Sequence, residues 1–247
     1  MYHFFVEPFQ IHEEQEYIEI LGGDVNHIEN VLRMKQGEEL TVSDGFGSEY
    51  RCSAQEFLPE TVKVKILEKS RVSSELRSEI TLFQCLPKGD KMELIIQKAV
   101  ELGAYAVVPV ETRRCVVKLD AKKAQKKVTR WQQISESAAK QSKRMLIPEV
   151  KNVMSWKEAL AFAKGLDVVL IPYELAQGMK ETREILAAIQ PGQSVGIFIG
   201  PEGGFEEEEV RDCHGSRRET GDPGKRILRT ETAGMTMLSI LMYTLES

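Results

Sequence analysis

The chain has 247 residues, 42% of them hydrophobic and 29% charged, with a formal net charge of −5. That balance suits a globular protein with one large or two smaller cores. No charged start followed by an apolar segment suggests a signal peptide, and the apolar run Met235–Leu245, interrupted by Thr236 and Ser239, is too short to span a bilayer. Cys52, Cys85, Cys115 and Cys213 lie far apart without a C-x-x-C pair. A metal site, a disulfide framework and a membrane location are therefore not expected, and a reducing cytoplasm fits best.

Residues 1–72 read as a small, mostly β unit. Tyr2–Val6, Tyr17–Leu21, Leu40–Ser43, Tyr50–Ala54 and Val62–Leu67 are short apolar or alternating stretches. Asp44-Gly45-Phe46-Gly47 is a hairpin turn signal, because glycine tolerates positive φ. One helix is expected to start at an Asp24 cap and stop at Gly37. Residues 69–79 are polar and serine-rich, which places the domain boundary near residue 73.

Residues 73–247 alternate strands and helices. Ile80–Leu86 reads as a buried strand, followed by a helix capped by Asp90 and ended by Gly103. Ala106–Val110 is the next strand and Ala121–Ser142 a long basic helix. Val168–Ile171 and Val195–Ile199 are further buried strands, and a helix from about Glu231 to Leu245 closes the chain. This alternation predicts an α/β domain with a mainly parallel sheet covered on both faces. The last helix lacks a polar face, which is explained by an ordinary core position or by a partner subunit.

Charge is distributed unevenly. Residues 1–70 hold 6 Lys/Arg against 14 Asp/Glu, while residues 113–151 hold 12 Lys/Arg against 3 acids. Such a one-signed excess is either a solvated helix face or a surface for a polyanion. The candidate RNA contacts are Arg114, Lys118, Lys122, Lys123, Lys126, Lys127, Arg130, Lys140, Lys143 and Arg144, with Arg33 and Lys35 from the acidic first unit.

Three segments carry chemistry. Ile199-Gly200-Pro201-Glu202-Gly203-Gly204-Phe205 follows a buried strand, where open α/β sheets bind ligands. It is also readable as a tight strand-to-helix turn, with Glu206–Glu209 favouring the next helix start. It is not a P-loop, since no Gly-Lys-Ser/Thr ending follows. In Lys225-Arg226-Ile227-Leu228-Arg229-Thr230-Glu231-Thr232-Ala233 a threonine can cap the last helix. Arg229 precedes a positive helix N-terminus, an unfavourable place for a cation without a nearby anion. Ile171-Pro172-Tyr173-Glu174 ends a strand where a ligand can lie.

The pair IGPEGGF and RILRTETA, in that order and before a terminal apolar helix, resembles the SPOUT methyltransferases. Within them the chain is most similar to the RsmE family of 16S ribosomal RNA uridine-N3 methyltransferases. VLRMKQGEEL (31–40), PKGDKMELIIQKAVELG (87–103) and ESAAKQSKR (136–144) extend the resemblance over nearly the whole chain. It implies a PUA-like N-terminal β-barrel over residues 1–72 and a SPOUT domain with a deep trefoil knot over 73–247, an exception to unthreaded chain topology. It implies S-adenosylmethionine held among Pro172, Tyr173 and Glu174; Ile199, Gly200, Pro201, Gly203 and Gly204; and Ile227, Leu228, Thr230, Glu231, Thr232 and Ala233. It further implies a homodimer through the C-terminal domain and 16S rRNA, or the assembled small subunit, as substrate.

One stretch departs from the family pattern. Residues 211–224, RDCHGSRRETGDPG, hold no large hydrophobe where the family has an apolar strand. Residues 212–224 are therefore expected to fit poorly into any sheet, through irregularity or a local error in the recorded sequence.

The reaction implied is methyl transfer to uridine N3, whose lost proton leaves an anion spread over O2 and O4. Arg229 is the first candidate to stabilise it, and Glu202 to orient the base or help remove the proton. The competing readings are another SPOUT enzyme acting on transfer RNA or a ribose 2′-oxygen, a non-catalytic RNA-binding protein, and a phosphate-handling enzyme.

Overall fold

The computed structural model describes residues 1–70, 75–172, 179–212, 218–221 and 226–246. The chain divides into two compact units, Met1–Glu75 with Ala139–Ile147, and Leu76–Ala138 with Pro148–Ser247.

The first unit contains β1 (Tyr2–Phe5), β2 (Ile11–His12), β3 (Tyr17–Leu21), α1 (Gly23–Asn26), β4 (Glu39–Ser43), β5 (Glu49–Leu58) and β6 (Thr61–Lys69). They form a six-stranded sheet in the order β1-β4-β5-β6-β3-β2, antiparallel except for β1 beside β4. Alternation places Leu40, Val42, Cys52, Val62 and Val64 on one buried face with Phe4, Ile18, Ile20, Val25 and Ile28. Asp44 Oδ1 accepts from the amides of Phe46 and Ser48, at 2.8 and 3.0 Å, and Gly45 and Gly47 take positive φ, closing the expected hairpin turn.

The helix expected from an Asp24 cap differs. Its N-cap is Gly22, Asp24 lies in the first turn, and after Asn26 the coil widens to a π-turn over His27–Leu32, ended by Arg33 in the left-handed region. Residues 139–147 also group with this unit, although the serine-rich stretch near residue 73 suggested one cut.

The second unit contains β7 (Ile80–Cys85), α2 (Lys91–Glu101), β8 (Ala106–Glu111), α3 (Ala121–Ser142, whose last turn falls in the first unit), β9 (Glu149–Val150), β10 (Met154–Ser155), α4 (Trp156–Ala163), β11 (Val168–Pro172), α5 (Met179–Ala188), β12 (Val195–Ile199), α6 (Glu207–Asp212), β13 (Arg218–Gly221) and α7 (Thr230–Leu245). The sheet order is β10-β8-β7-β12-β11-β13, with β9 beside β8, and every pairing is parallel.

β7 and β12 lie at the centre and are buried along their whole length, as continuous apolar runs predict. Phe83 and Phe198 stack there with centroids 4.2 Å apart and planes 4° from parallel. Gly196 makes room for them: a Cβ would stand 3.0 Å from Phe83 Cε2 and 2.8 Å from Leu166 Cδ1. α7 packs on α2, β12 and β7 and buries Gly234, Met237, Leu238 and Leu241, while Met235, Ile240 and Met242 are half-buried and Tyr243 is exposed.

The expectation that residues 212–224 join no sheet is overturned at Arg218–Gly221. Arg218, Glu219, Thr220 and Gly221 pair in parallel with Val169–Pro172 of β11. A parallel ladder is made by backbone amides, and an edge position with one neighbour does not require apolar side chains. Residues 213–217 and 222–225 lie outside the described residues. Among the described residues no helix is long and apolar enough to cross a membrane, and no group of three His, Cys, Asp or Glu side chains is placed to hold a metal.

Candidate active site

The carboxyl edges of β11 and β12 are adjacent, since Leu170 pairs with Ile197 and the two strands end at Pro172 and Ile199. Tyr173 and Glu174, expected beyond Pro172, lie outside the described residues. After Ile199 the chain turns sharply. Gly204 donates its amide to Pro201 O at 2.9 Å, and a Cβ on Gly200 would stand 3.3 Å from the Gly204 backbone. Gly204 has φ +67°, and nothing lies within 4 Å of where its Cβ would be. Glycine is needed for that conformation, and the backbone there is open to a ligand.

The third segment joins this turn. Thr230, buried at the start of α7, donates its hydroxyl to Gly200 O at 2.7 Å and accepts from Gln84 Nε2 at 2.9 Å. Gln84 lies near the end of β7, so one hydroxyl ties β7, the glycine turn and α7 together. Ala233 donates to Arg229 O at 2.8 Å, completing the first helical turn. Ile227 is 80% exposed, Leu228 and Ala233 half-buried, and Thr232 exposed. Arg229 occupies the N-cap position of α7, makes no side-chain cap bond and points to no anion among the described residues.

Glu202 is held differently from a free base. Its Oε1 accepts from Lys91 Nζ at 2.9 Å and from the Lys88 amide at 3.1 Å, and Lys91 Nζ also lies 3.3 Å from Glu231 Oε2. Partial burial pushes the Glu202 carboxyl up, but the bonds from Lys91, its own amide and Lys88 outweigh it and hold it below the usual range. Such a carboxylate stays ionised and is a weak proton acceptor.

The basic residues fall into three groups. In the second unit Lys122 and Lys126 are exposed without ion-pair partners among the described residues, whereas Lys118 pairs with Glu111, Lys123 with Asp120, Lys127 with Asp90 and Arg130 with Glu93. Arg114 donates to Gly203 O at 2.9 Å and so braces the glycine turn. In the first unit Arg33 and Lys35 are exposed, Lys140 pairs with Asp24, and Lys143 has a left-handed backbone.

Arg144 corrects the sequence reading. It is only 6% exposed and bonds Glu75, with Nη2 to Oε2 at 2.5 Å and Nε to Oε2 at 2.8 Å. A buried guanidinium bonded to a carboxylate is a structural ion pair, and its burial leaves it poorly placed to meet a phosphate.

Residues 74–242 match the family model for an RNA methyltransferase domain, and residues 20–54 that for an RNA methyltransferase PUA domain. The ribosomal RNA small subunit methyltransferase E of Bacillus subtilis is 38% identical over 95% of this chain and 93% of its own. The chain belongs to the ribosomal RNA small subunit methyltransferase E family. A crystal structure of the family member from Neisseria gonorrhoeae bound to S-adenosyl methionine has 29% identity and a TM-score of 0.83, covering 98% of this chain and 97% of that one. A putative methyltransferase from Legionella pneumophila, in complex with the same cofactor, has 34% identity and a TM-score of 0.78 over 98% and 96% of the two chains.

Within this methyltransferase E fold, sequence reasoning missed Gln84, Lys88 and Lys91 and gave Arg114 a different contact. Two had a signal. Gln84 is a polar side chain inside an apolar strand, and such a group requires a partner. Lys91 is a cation in the first turn of a helix, which the dipole disfavours.

Proposed function

We propose that the chain methylates N3 of a uridine in small-subunit ribosomal RNA, using S-adenosylmethionine bound between the glycine turn and the start of α7. The observation that carries this reading is the Thr230 bridge, which joins the two family motifs into one wall at the carboxyl edge of the sheet. The pocket fits a cofactor gripped by main chain: the Gly204 backbone opens onto free space, and the glycine turn is braced by Arg114 and Glu202. The residues that would hold it are Pro172, Ile199–Gly204 except Glu202, and Ile227–Ala233 except Arg229, together with Tyr173 and Glu174, which lie outside the described residues. The cofactor supplies an electrophilic methyl group.

The protein's task is then to position the base and stabilise the anion formed when N3 loses its proton. Arg229 has no ion-pair partner among the described residues and stands at the N-terminus of α7, suited to the uridine oxygens. Holding the partners in line supplies roughly 7–11 kcal/mol, so no strong general base is required. Glu202, already bonded by Lys91 and Lys88, serves as an anchor of the turn. The exposed lysines Lys122 and Lys126, with Lys123, Lys127 and Arg130 beside them, would position RNA phosphates.

Family membership supports three further readings: a deep trefoil knot, a homodimer through the second unit, and action on 16S rRNA or the assembled small subunit in the cytoplasm. The placement of β13 at the sheet edge and of α7 against central β7 and β12 agrees with the knot. Met235, Ile240, Met242 and Tyr243 on the outer side of α7 support the dimer.

The deciding experiment incubates the protein with S-adenosylmethionine and small-subunit RNA or subunits, then analyses nucleosides by mass spectrometry. A single 3-methyluridine is expected. A 2′-O-methylated nucleoside, or none, would overturn the reading.

A further inference from the structure

One cation faces both carboxylates beside the cofactor loops. Lys91 opens α2, and its Nζ lies 2.9 Å from Glu202 and 3.3 Å from Glu231. Glu202 belongs to the turn after β12 and Glu231 to the first turn of α7. One ammonium thus spans the same two segments that Thr230 joins through its hydroxyl. The Glu202 bond raises the affinity of Lys91 for its proton, against a smaller effect of burial, and the nearby Glu231 carboxylate adds to it.

We infer that Lys91 is a positioning residue of the methyl-transfer site, binding Glu202 and Glu231 into one ion cluster that sets the spacing of the two loops. The inference rests on reading those loops as the S-adenosylmethionine pocket. Without the ammonium, two carboxylates on neighbouring loops repel each other, and the loops move apart. An isolated surface ion pair does little for global stability. Lys91 is about one-third exposed, so its removal should act on the local spacing and leave the fold intact.

The test is calorimetric titration of S-adenosylmethionine into the wild-type chain, Lys91→Met and Lys91→Arg across a range of pH, alongside thermal unfolding without ligand. Lys91→Met should bind roughly tenfold more weakly at neutral pH. Its affinity should recover as the pH falls and one of the two carboxylates takes up a proton, a gain the wild type should not show because Lys91 already faces both. Lys91→Arg should recover most of the affinity, and all three should melt at similar temperatures. Wild-type affinity and an unshifted pH profile in Lys91→Met would overturn the inference while leaving the pocket intact. If Lys91→Met does not fold, Glu202→Gln takes its place: weaker binding supports the cluster, and unchanged binding removes it. A wild-type chain that binds no cofactor defeats the pocket reading itself.

Discussion

The hydroxyl of Thr230 lies 2.7 Å from the carbonyl oxygen of Gly200, thirty positions earlier in the chain. The hydroxyl oxygen of Thr230 accepts in turn from the Gln84 side-chain amide, so this side chain satisfies a strand end and a glycine turn together. Thr230→Val keeps the shape and removes both bonds. Leaving buried polar groups unpaired costs about 1–3 kcal/mol. The variant should melt earlier and bind S-adenosylmethionine more weakly, whereas Thr230→Ser should stay close to wild type; calorimetry measures both effects.

Arg229 stands at the start of α7 without an anion among the described residues. Replacing it with alanine should lower kcat by about 10²–10³, the usual loss for one donor to a developing oxyanion, with cofactor affinity nearly constant. Single-turnover kinetics with saturating cofactor tests this. Unchanged turnover would remove Arg229 from the chemistry.

Glu75 and Arg144 form a buried pair in the first unit, and Glu75 Oε1 also accepts the Met145 amide at 2.7 Å. Glu75→Ala removes the carboxylate that the buried Arg144 guanidinium bonds and should destabilise that unit by about 3–5 kcal/mol, read from urea unfolding. RNA binding by the folded fraction should be unchanged, which separates Arg144 from the exposed lysines.

Lys122 and Lys126 have no local ion-pair partner among the described residues, so phosphate contact would release counterions without breaking a bridge. RNA affinity should fall steeply with salt, and each alanine substitution should reduce the logarithmic salt slope by about 1. A slope unaffected by both substitutions would exclude this face.

His3, in the first unit, is held down to about 4 from the ordinary 6.5, by burial first and then by Lys140 and Lys143. Glu49 lies 3.9 Å away. Between pH 4 and 6.5 the unfolded chain binds the proton and the folded one does not, so stability falls as pH drops through this window and is level above it. His3→Phe should flatten that part of the curve in denaturant titrations at a series of pH values.

Local chemistry made much of the fold legible. Val195–Ile199 is legible because an apolar run stops at Gly200, and the long basic helix expected from about Ala121 to Ser142 forms over that span. β13 was not legible, since Arg218–Gly221 is held to β11 by main-chain pairing that leaves no apolar pattern. The site shows the same limit. The motifs located its walls, but Lys91 meets Glu202 across 111 positions and Gln84 meets Thr230 across 146, separations that spacing cannot encode. Arg144 looked like one more residue of a basic run. The helix stops at Ser142, Lys143 takes a left-handed turn, and the next side chain pairs with a carboxylate 69 positions away.

The bridge from Gln84 to Thr230 also gives the pocket a place in time. A growing chain that has passed Gly204 already carries the glycine turn, yet has neither the hydroxyl that fastens it nor Glu231, which shares Lys91 with it. Methyl-donor affinity should consequently arise late in synthesis, in a single step, and its onset in a stalled-ribosome series would date the docking of α7.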